Sequence, residues 1–369
     1  MKGRILITGG AGFIGRHLAR ALISSGYDVV ILDALIEQVH SGRYPAELYG
    51  GDVEFVRGDI RDDDAVRRAL IGVDGVVHLA AEVGVGQSMY AIERYVSANE
   101  CGTAVLLQEL AQAPVRRIVV ASSMSIYGEG LYRTSEGRVL DNVERVLAPG
   151  SWWDPLDESG QPLIPLPTPE SKRPSLASVY ALSKYAQERM TLMMAAAYGI
   201  ESCALRLFNV FGPGQALSNP YTGVLAIFAS RLLNEQRPMV FEDGQQRRDF
   251  VHVADVARAF VAALEEPSAV GEVFNIGSGR NYSIFEVARR LAEAMRRGHL
   301  TPEVIGKART GDVRHCFADI TLAEKKLGYR PVHRLEDSLE ELAGWVKEQT
   351  AIDRVKEARI ELEQRGLVV

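Results

Sequence analysis

The glycine pattern near the start of this chain restricts its fold more than any other feature. Thr8-Gly-Gly-Ala-Gly-Phe-Ile-Gly15 has glycines at positions 9, 12 and 15, directly after the apolar run Arg4 to Thr8 and before a helical pattern. Glycines at this spacing permit a tight turn and let the backbone approach a pyrophosphate at the N-terminus of the following helix. The chain has 34 glycines, so a plain turn is the alternative, but the position between strand and helix favours a dinucleotide site.

Apolar, strand-like runs alternate with amphipathic segments through the first third of the chain. Strands are predicted at 4–8, 28–32, 53–57, 75–79 and 117–121, and helices at 16–24, 65–70 and 98–111. Strands that consist almost entirely of Ile, Val and Leu, and that are separated by helices, indicate a parallel sheet buried on both faces. We therefore predict an α/β protein with a Rossmann-type, doubly wound parallel sheet.

The remainder of the chain is predicted to complete this sheet and to add a smaller unit. Further elements are predicted as a helix at 178–198, strands at 203–208 and 272–276, and a charged helical pattern at 336–366. From these we predict a Rossmann domain of residues 1–208 and 248–281, a discontinuous C-terminal substrate-binding domain of residues 209–247 and 282–345, and a charged helical tail of residues 346–369.

The segment 131–174 interrupts the alternation. It contains Trp152, Trp153 and prolines at 155, 162, 165, 167, 169 and 174, and this series makes regular structure unfavourable. An irregular segment of this length in a compact domain usually has a function. It could cover the sugar, contact a partner subunit or decorate the surface, and it has no Cys or His that would hold a metal.

The composition favours small molecules as partners. The formal net charge is −6 without a basic stripe, so neither nucleic acid nor an anionic membrane is expected as a partner. The cysteines Cys101, Cys203 and Cys316 stand singly, which favours a reducing compartment over disulfides or a zinc site. No run approaches the ~18 apolar residues of a membrane span, and the N-terminus does not resemble a signal peptide. We expect a cytoplasmic protein without a bound metal.

Residues at the ends of the predicted strands extend the dinucleotide site. Asp33 ends the second strand, where its carboxylate would meet the adenosine ribose hydroxyls. It would repel a 2′-phosphate by ~4 kcal/mol at ~4 Å in an effective dielectric of ~20, so NAD is favoured over NADP. The alternative for Asp33 is a helix cap or a turn. The ends of the third and fourth strands place further residues beside the cofactor, namely Asp59, Ile60, Leu79, Ala80 and Ala81.

One tyrosine and one lysine form a candidate catalytic pair. Among the 13 tyrosines only Tyr180 is followed four residues later by a lysine, Lys184. Positions i and i+4 share a helix face, so the ammonium could lie near the phenol or reach the same ligand. At ~4 Å it could lower the pKa of Tyr180 by up to ~3 units and make the phenol a proton acceptor for a substrate hydroxyl. The alternative is an ordinary amphipathic helix with an exposed lysine.

The combination of glycine turn, Tyr180 with Lys184, and serines at the end of the fifth strand resembles the extended short-chain dehydrogenase/reductase family. The resemblance runs from Lys2 to about Ser338 and is strongest to nucleotide-sugar epimerases and dehydratases. It implies that Ser123 binds the substrate hydroxyl. Dehydratases carry Thr-Asp-Glu where this chain has Ser123-Met124-Ser125, and this difference disfavours elimination of water. Further residues that it implies at the NAD site are Phe13, Ile14, Asn99 and Ser122.

The same resemblance implies a nucleotide-sugar site. Asn209 matches a phosphate-binding asparagine, Arg248 a diphosphate-clamping arginine, and Arg309 with Asp312 an Arg-x-x-Asp motif. Arginine suits phosphate through its bidentate geometry, although each arginine alone would more often be a surface charge or a local ion pair. Further positions match segments that face the sugar or the nucleotide: Gln87, Ser88, Val224 and Leu225.

The resemblance implies an NAD-dependent 4-epimerase, in which Tyr180 takes the proton of the C4 hydroxyl while hydride passes to the nicotinamide and then returns to the other face of the sugar. The segments Gln38-Val-His40 and Asn219-Pro-Tyr-Thr resemble epimerases of dTDP-6-deoxyhexoses, with dTDP-L-rhamnose as a candidate. Alternatives are a UDP-hexose or UDP-hexuronate 4-epimerase, a 4-ketosugar reductase, and a non-catalytic NAD-sensing protein. Relatives commonly form homodimers through two helices, here Ala91 to Ala111 and Ser178 to Tyr198.

Overall fold

A parallel sheet of seven strands forms the centre of the molecule. The computed structural model describes residues 2–40, 52–145, 152–221 and 223–368. The strand order is β14-β9-β5-β4-β1-β2-β3. The strands are β1 Arg4–Thr8, β2 Asp28–Asp33, β3 Val53–Arg57, β4 Gly75–His78, β5 Arg117–Ser123, β9 Glu201–Leu207 and β14 Val273–Ile276. This order, with helices between the strands, confirms the predicted doubly wound Rossmann fold.

Helices cover both faces of this sheet. The hydrophobic core around the sheet has two layers: Ile5 and Ile7 of β1 pack in the layer on one face and Leu6 packs in the layer on the other, because successive side chains of a strand point to opposite faces. The helices on the first face are α1 Phe13–Ser24, α9 Val253–Glu265 and α11 Thr321–Leu327. Those on the second face are α3 Asp63–Ala69, α6 Gly102–Gln112 and α7 Val179–Tyr198.

Local signals set the ends of α7, the helix with the candidate catalytic pair. Ser178 is its N-cap and accepts a hydrogen bond from the backbone N of Ala181 at 3.1 Å. Gly199, with φ of 70°, ends the helix in the left-handed conformation that favours glycine. The cap places Tyr180 in the first turn, next to the sheet edge where the strands end. The predicted helix at 98–111 begins instead as a π-helical segment, Val96–Cys101, which continues directly into α6.

A second hydrophobic core lies beyond the first. Its helices are α8 Val224–Leu233, α10 Ile284–Ala294 and α12 Leu335–Lys347, which pack together through Phe228, Leu291 and Leu342. The division of the chain into two domains stays a prediction in its boundaries. Helix α11 falls within the range assigned to the second domain, yet Ala323 and Leu327 pack on the first core.

The segment 131–174 is more regular than predicted. Three short strands form an antiparallel sheet in the order β7-β6-β8, with bounds β6 Leu131–Arg133, β7 Val139–Leu140 and β8 Ile164–Leu166. Pro165 lies within β8 opposite Tyr132, and β8 is an edge strand, where the missing N–H of proline is tolerated. The expectation of no regular structure was therefore wrong for these strands. Residues 146–151 lie outside the described residues.

The remaining elements are short. They are α2 Glu37–His40, α4 Val85–Ser88, α5 Ile92–Tyr95, β10 Asn209–Phe211, β11 Met239–Val240, β12 Arg247–Arg248, β13 Phe250–His252, β15 Tyr282–Ser283, β16 Glu303–Val304 and β17 His315–Cys316. The tail contains the predicted helical structure as α13 Val355–Gln364. Within the described ranges, no helix combines the length and the apolar character that crossing a membrane requires.

Candidate active site

A cavity of about 1290 Å³ runs along the carboxyl ends of the central strands. One wall consists of the residues that follow β1 to β5, together with the first turn of α7. The other wall consists of the loop before α8, residues 309–313 and one face of α13. Because single-ligand pockets usually measure roughly 300–1,000 Å³, this cavity has room for more than one small ligand.

The glycine turn lies at one end of the cavity with the conformation that its sequence predicted. Gly9 has φ of +68°, and a Cβ there would lie 2.9 Å from the Cα of Ala80. A Cβ at Gly15 would lie 2.5 Å from the Cα of Gly10, so α1 can approach the turn this closely only without a side chain. The predicted cofactor residues of this turn all line the cavity: Gly9, Gly12, Phe13, Ile14 and Gly15.

The strand-end residues predicted for the cofactor line the same part of the cavity. They are Asp33, Asp59, Ile60, Leu79, Ala80 and Ala81. The two carboxylate oxygens of Asp33 accept hydrogen bonds from the backbone N of Ala11 at 3.0 Å and of Leu35 at 2.9 Å. Asp33 thus holds the glycine turn against the end of β2. The Arg61 guanidinium, which hydrogen-bonds the carboxylate of Asp59 at 2.7 Å, lowers the pKa of Asp59.

Ser123, Tyr180 and Lys184 line the middle of the cavity. Ser123 ends β5, and its Oγ accepts a hydrogen bond from the backbone N of Ser125 at 3.1 Å. Burial raises the pKa of Tyr180, although its hydrogen bond with Ser123 opposes the shift. The predicted lowering of the Tyr180 pKa by Lys184 is therefore wrong for this structure, because the cost of burying a phenolate exceeds the favourable contacts.

Lys184 is buried and turned toward the protein interior. Its Nζ donates a hydrogen bond to Gln187 Oε1 at 2.6 Å, and burial lowers its pKa to about 7. Gln187 in turn donates to Thr103 Oγ1 at 2.8 Å and lies 3.1 Å from His78 Nε2. The lysine is thus not the exposed surface residue of the alternative interpretation, and its ammonium can change protonation near neutral pH.

The predicted phosphate-binding residues meet on the opposite wall. Arg248 Nη2 donates to Asp312 Oδ1 at 3.1 Å, and Arg309 Nη2 donates to Asp312 Oδ2 at 2.6 Å. Burial alone would raise the pKa of Asp312, but Arg309 and Arg248 hold it well below its usual range. Asn209 also lines the cavity, and within the described part of the chain its buried Oδ1 has no hydrogen-bond partner.

Two side chains predicted at the cofactor site make their hydrogen bonds to neighbouring residues of the protein. Asn99 does not line the cavity; its amide binds the backbone N and O of Glu82 at 2.7 and 3.1 Å and Ser183 Oγ at 2.9 Å. Ser122 does line the cavity, but its hydroxyl donates to Glu188 at 2.6 Å. These two side chains are committed to holding the fold around the site.

The predicted sugar-facing pair is likewise turned away from the cavity. Ser88 is fully buried, and its Oγ accepts a hydrogen bond from the backbone N of Tyr180 at 3.0 Å. Gln87 Oε1 accepts from the hydroxyl of Tyr95 at 3.2 Å. Neither residue lines the cavity, whereas the preceding Val85 and Gly86 do.

The two residues predicted for the nucleotide pocket point in different directions. Val224 lines the cavity, whereas Leu225 packs in the second core. Ile227 and Phe228 of the same helix line the cavity instead. Residues one position apart on a helix point in different directions, so the rotation of α8 decides which of them faces a ligand.

Comparison with known proteins agrees with this geometry. A sequence model of the NAD dependent epimerase/dehydratase family matches residues 5–277. This chain belongs to that family. The dTDP-L-rhamnose 4-epimerase of Burkholderia thailandensis is 36% identical over 355 residues, which cover 94% of this chain and 95% of the relative.

Two solved structures are similar to this family member over most of their length. The UDP-glucose 4-epimerase of Thermotoga maritima, with UDP-glucose, has a TM-score of 0.75 and 31% identity, over 94% of this chain and 99% of that one. The UDP-glucuronic acid 4-epimerase of Bacillus cereus, with UDP-glucuronic acid and NAD, has a TM-score of 0.74 and 28% identity, again over 94% and 99%. The predicted family, the NAD cofactor and the class of enzyme, a nucleotide-sugar epimerase, are confirmed.

NAD fits the residues that this epimerase/dehydratase family member presents. The turn before α1 has no side chain at Gly9, Gly12 or Gly15, so backbone N–H groups at the helix N-terminus can face a pyrophosphate. Asp33 lines the same end of the cavity and offers a carboxylate to ribose hydroxyls.

Sequence reasoning missed several residues of the cavity wall. Glu82 and Arg94 line it as a bidentate ion pair, with both contacts at 2.8 Å. Phe241 lies under the Arg309 guanidinium, 4.6 Å from the ring centroid. The tail helix α13 contributes one face, and the recurrence of apolar residues at Val355, Ala358 and Leu362 could have indicated a packed helix but not its position.

Proposed function

We propose that this protein is an NAD-dependent nucleotide-sugar 4-epimerase that acts on a dTDP-6-deoxyhexose, with dTDP-L-rhamnose as the first candidate. The observation that carries the proposal is the shared cavity. Ser123, Tyr180 and Lys184 line it between the glycine turn on one side and the arginines Arg248 and Arg309 on the other. Groups that can bind a hydroxyl and exchange its proton thus lie between the proposed NAD site and the proposed diphosphate site. This arrangement suits the oxidation and reduction of a sugar that is linked to a nucleotide.

The side chains divide the work around the C4 hydroxyl. Tyr180 would act as its phenolate: it accepts the proton of the C4 hydroxyl and later returns it to the same oxygen, while Ser123 hydrogen-bonds that oxygen and orients it. Lys184, whose pKa burial lowers to about 7, lines the same cavity and can gain or lose a proton near neutral pH. NAD, when bound, supplies the hydride acceptor and donor for the sugar carbon. Burial of Tyr180 and Lys184 excludes bulk water from this proton exchange.

Inversion of C4 requires that the sugar turn while the rest of the substrate is held. Arg248 and Arg309 share Asp312, which fixes the two guanidinium groups side by side. Two adjacent, always charged guanidinium groups suit the two phosphates of a nucleotide sugar. The diphosphate would be the fixed point about which the sugar reorients.

Elimination of water is disfavoured at this site. Met124 and Ser125 follow Ser123 in a short 3₁₀ turn that extends to Tyr127, and Met124 is buried. A thioether and a hydroxyl cannot supply the acid and base pair that removal of water across C5 and C6 needs. Reversible oxidation at C4 is the reaction that these residues allow.

The substrate can be identified directly. The purified protein with NAD is incubated with a panel of dTDP-, UDP- and GDP-sugars, and the products are read by NMR. Conversion of dTDP-L-rhamnose to its C4 epimer without net change in the NADH absorption band would support the proposal. Conversion of UDP-hexoses or UDP-hexuronates alone would replace the substrate, and steady net NADH turnover would indicate a 4-ketosugar reductase instead.

The role of Tyr180 is tested by Tyr180→Phe, which removes the hydroxyl that exchanges the proton. We expect kcat for epimerisation to fall by about 10²–10⁴-fold, the usual contribution of a general acid–base group. The matched control is Tyr198→Phe, at the exposed far end of the same helix, which should keep the parent kcat. A Tyr180→Phe enzyme as active as the control would refute the assignment, and a parent protein without any conversion would favour the NAD-sensing alternative.

We also propose that the protein forms a homodimer through the helices predicted for this purpose. Exposed apolar side chains on these helices are Ile92, Leu182 and Met193. Apolar side chains that recur on the outer face of neighbouring helices are typical of a protein–protein interface.

A further inference from the structure

The C-terminal helix α13 forms part of the wall of the substrate cavity. Val355, Ala358, Arg359 and Leu362 line the cavity, and their spacing of three, one and three residues puts them on one face of the helix. Leu362 reaches the cavity-lining loop at α4, since a Cβ on Gly86 would lie 3.4 Å from Leu362 Cδ1. The charged tail is thus a packed part of the site.

Hydrogen bonds attach α13 to the segments that contain Tyr90 and Tyr221. Glu361 Oε2 accepts hydrogen bonds from the hydroxyls of Tyr90 at 3.1 Å and Tyr221 at 3.2 Å, and these hydroxyls lie 2.7 Å apart. Burial raises the pKa of both tyrosines, so each stays a neutral donor. The Arg365 guanidinium lies over the Tyr90 ring at 4.3 Å.

The last turn of α13 and the residues after it contact the loop that contains Arg309. The backbone N of Thr310 donates to the carbonyl of Leu367 at 3.0 Å, and Lys307 Nζ pairs with Glu363 at 2.9 Å. Val368 forms an antiparallel bridge with Arg309 itself. The tail therefore connects the phosphate-binding loop to the loops of Tyr90 and Tyr221.

Arg359 is a cation on the face of α13 that lines the cavity, and its positive charge has only a distant carboxylate partner among the described residues. Its Nε is shielded from solvent and has no hydrogen-bond partner among the described residues. The carboxylate that pairs with it is Glu363 at 3.7 Å, which Lys307 also contacts at the shorter distance of 2.9 Å. Arg359 Nη1 contacts Met239 Sδ at 3.8 Å, and Met239 and Phe241 line the cavity beside it. Arg309 lies over the same Phe241 ring.

We propose that the segment 353–368 is a substrate-binding element and that Arg359 binds the nucleoside diphosphate part of the substrate. A guanidinium with spare donors, on the same side of the cavity as Arg309 and Arg248, suits an anionic ligand. The inference rests on the proposed function only in taking a nucleoside diphosphate sugar as the substrate. The hydrogen bonds of Glu361 and Thr310 hold the helix in place, so Arg359 is presented on a fixed element.

The test compares two charge-removing substitutions on the same helix. Arg359→Gln removes the cavity cation, whereas Lys356→Gln removes one charge from the exposed face. Binding of dTDP and of UDP to the protein with NAD is measured by isothermal titration calorimetry. We expect Arg359→Gln to lower the affinity for the tighter-binding of these two ligands about 10- to 100-fold, which is the contribution of a charge-assisted hydrogen bond. Lys356→Gln should match the parent, and Arg359→Lys should fall between, because it keeps the charge without the bidentate donors.

The outcomes separate this inference from the proposed function. Equal affinities of Arg359→Gln and Lys356→Gln would overturn the role of Arg359 while leaving the nucleotide-sugar assignment intact. Failure of the parent protein to bind either dTDP or UDP would overturn both. A second variant, Glu361→Gln, weakens the attachment of α13 but leaves Arg359 in place. We expect this variant to bind dTDP or UDP more weakly than the parent protein and to bind NAD with the parent affinity. Unchanged binding of dTDP and UDP would count against the tail as a substrate-binding element.

Discussion

A buried histidine lies behind the proposed reaction site and joins two layers of the fold. His78 Nδ1 lies 2.7 Å from Thr8 Oγ1 and its Nε2 lies 2.9 Å from Thr103 Oγ1. Burial, with a smaller effect from the Lys184 charge, lowers its pKa to about 3. The ring is therefore neutral at physiological pH and can donate through one nitrogen and accept through the other. Protonation would leave a buried charge and remove the acceptor.

The histidine predicts how stability depends on pH. The unfolded chain protonates a histidine near 6.5, whereas folded His78 protonates only near 3. Between these values the unfolded state binds more protons, so the free energy of unfolding falls as the pH falls, by about 1 kcal/mol per pH unit from this residue. His78→Gln, which stays neutral, should reduce the slope by that amount in urea unfolding at pH 6.5, 5.5 and 4.5, which lie in the upper part of this window. His299→Gln, at an exposed histidine, should keep the parent slope, and an equal slope in both variants would contradict the assignment.

At the scale of elements, buried ion pairs join the segment 131–174 to the side of the cavity that contains Arg248, Arg309 and Asp312. Arg145 contacts the carboxylates of Glu129 and Glu242 at 2.9 Å each, and its Nη2 donates to the carbonyl of Asp312 at 3.0 Å. Arg314 contacts the same Glu242 at 2.9 Å. The sequence did not decide among the possible roles of the segment 131–174. In the structure, the segment supports Asp312, which hydrogen-bonds both Arg248 and Arg309.

Removal of Arg145 should cost stability because its partners are buried. Arg145→Met keeps most of the side-chain volume but removes the cation that pairs with the Glu129 carboxylate. It also removes the hydrogen-bond donor to the backbone carbonyl of Asp312. Breaking one partner of a buried ion pair typically costs about 3–5 kcal/mol, so we expect a loss of that size in the free energy of unfolding. Arg138→Met, whose ion pair at 3.8 Å is exposed, should change it by less than about 1 kcal/mol. Chemical denaturation of both variants measures the difference, and equal stabilities would show that the buried ions do not hold the segment.

At the scale of the whole molecule, the outer faces of α5 and α7 expose apolar side chains that a second copy of the chain could cover. We expect light scattering to give twice the mass of one chain. Met193→Asp places a charge on the proposed contact and should yield monomers, because burying an unpaired carboxylate is unfavourable. Ile71→Asp, at an equally exposed apolar residue outside these helices, should remain dimeric. A monomeric parent protein would refute the proposed dimer.

The predictions from sequence succeeded where short-range chemistry determines the structure. Short runs of Ile, Val and Leu between helical patterns favour strands of a parallel sheet, and the glycines at 9, 12 and 15 permit a turn that other residues would block. The spacing of Tyr180 and Lys184 on one helix places both on the cavity once the helix is in position. The side chains of Gln87, Ser88, Asn99 and Leu225 do not line the cavity, because the direction of a helical side chain depends on how its helix packs.

The sequence by itself determined the positions of the strands along the chain, the glycine turn and the spacing of Tyr180 and Lys184 on one helix, because these depend on steric limits and on neighbours along the chain. Only the tertiary structure decided the protonation of that pair and the attachment of α13 to the cavity. Burial raises the pKa of Tyr180 and lowers that of Lys184 to about 7, and desolvation is set by residues far apart in sequence. The position of Arg359 likewise depends on hydrogen bonds from Tyr90, Tyr221 and Thr310, which only the folded chain brings together.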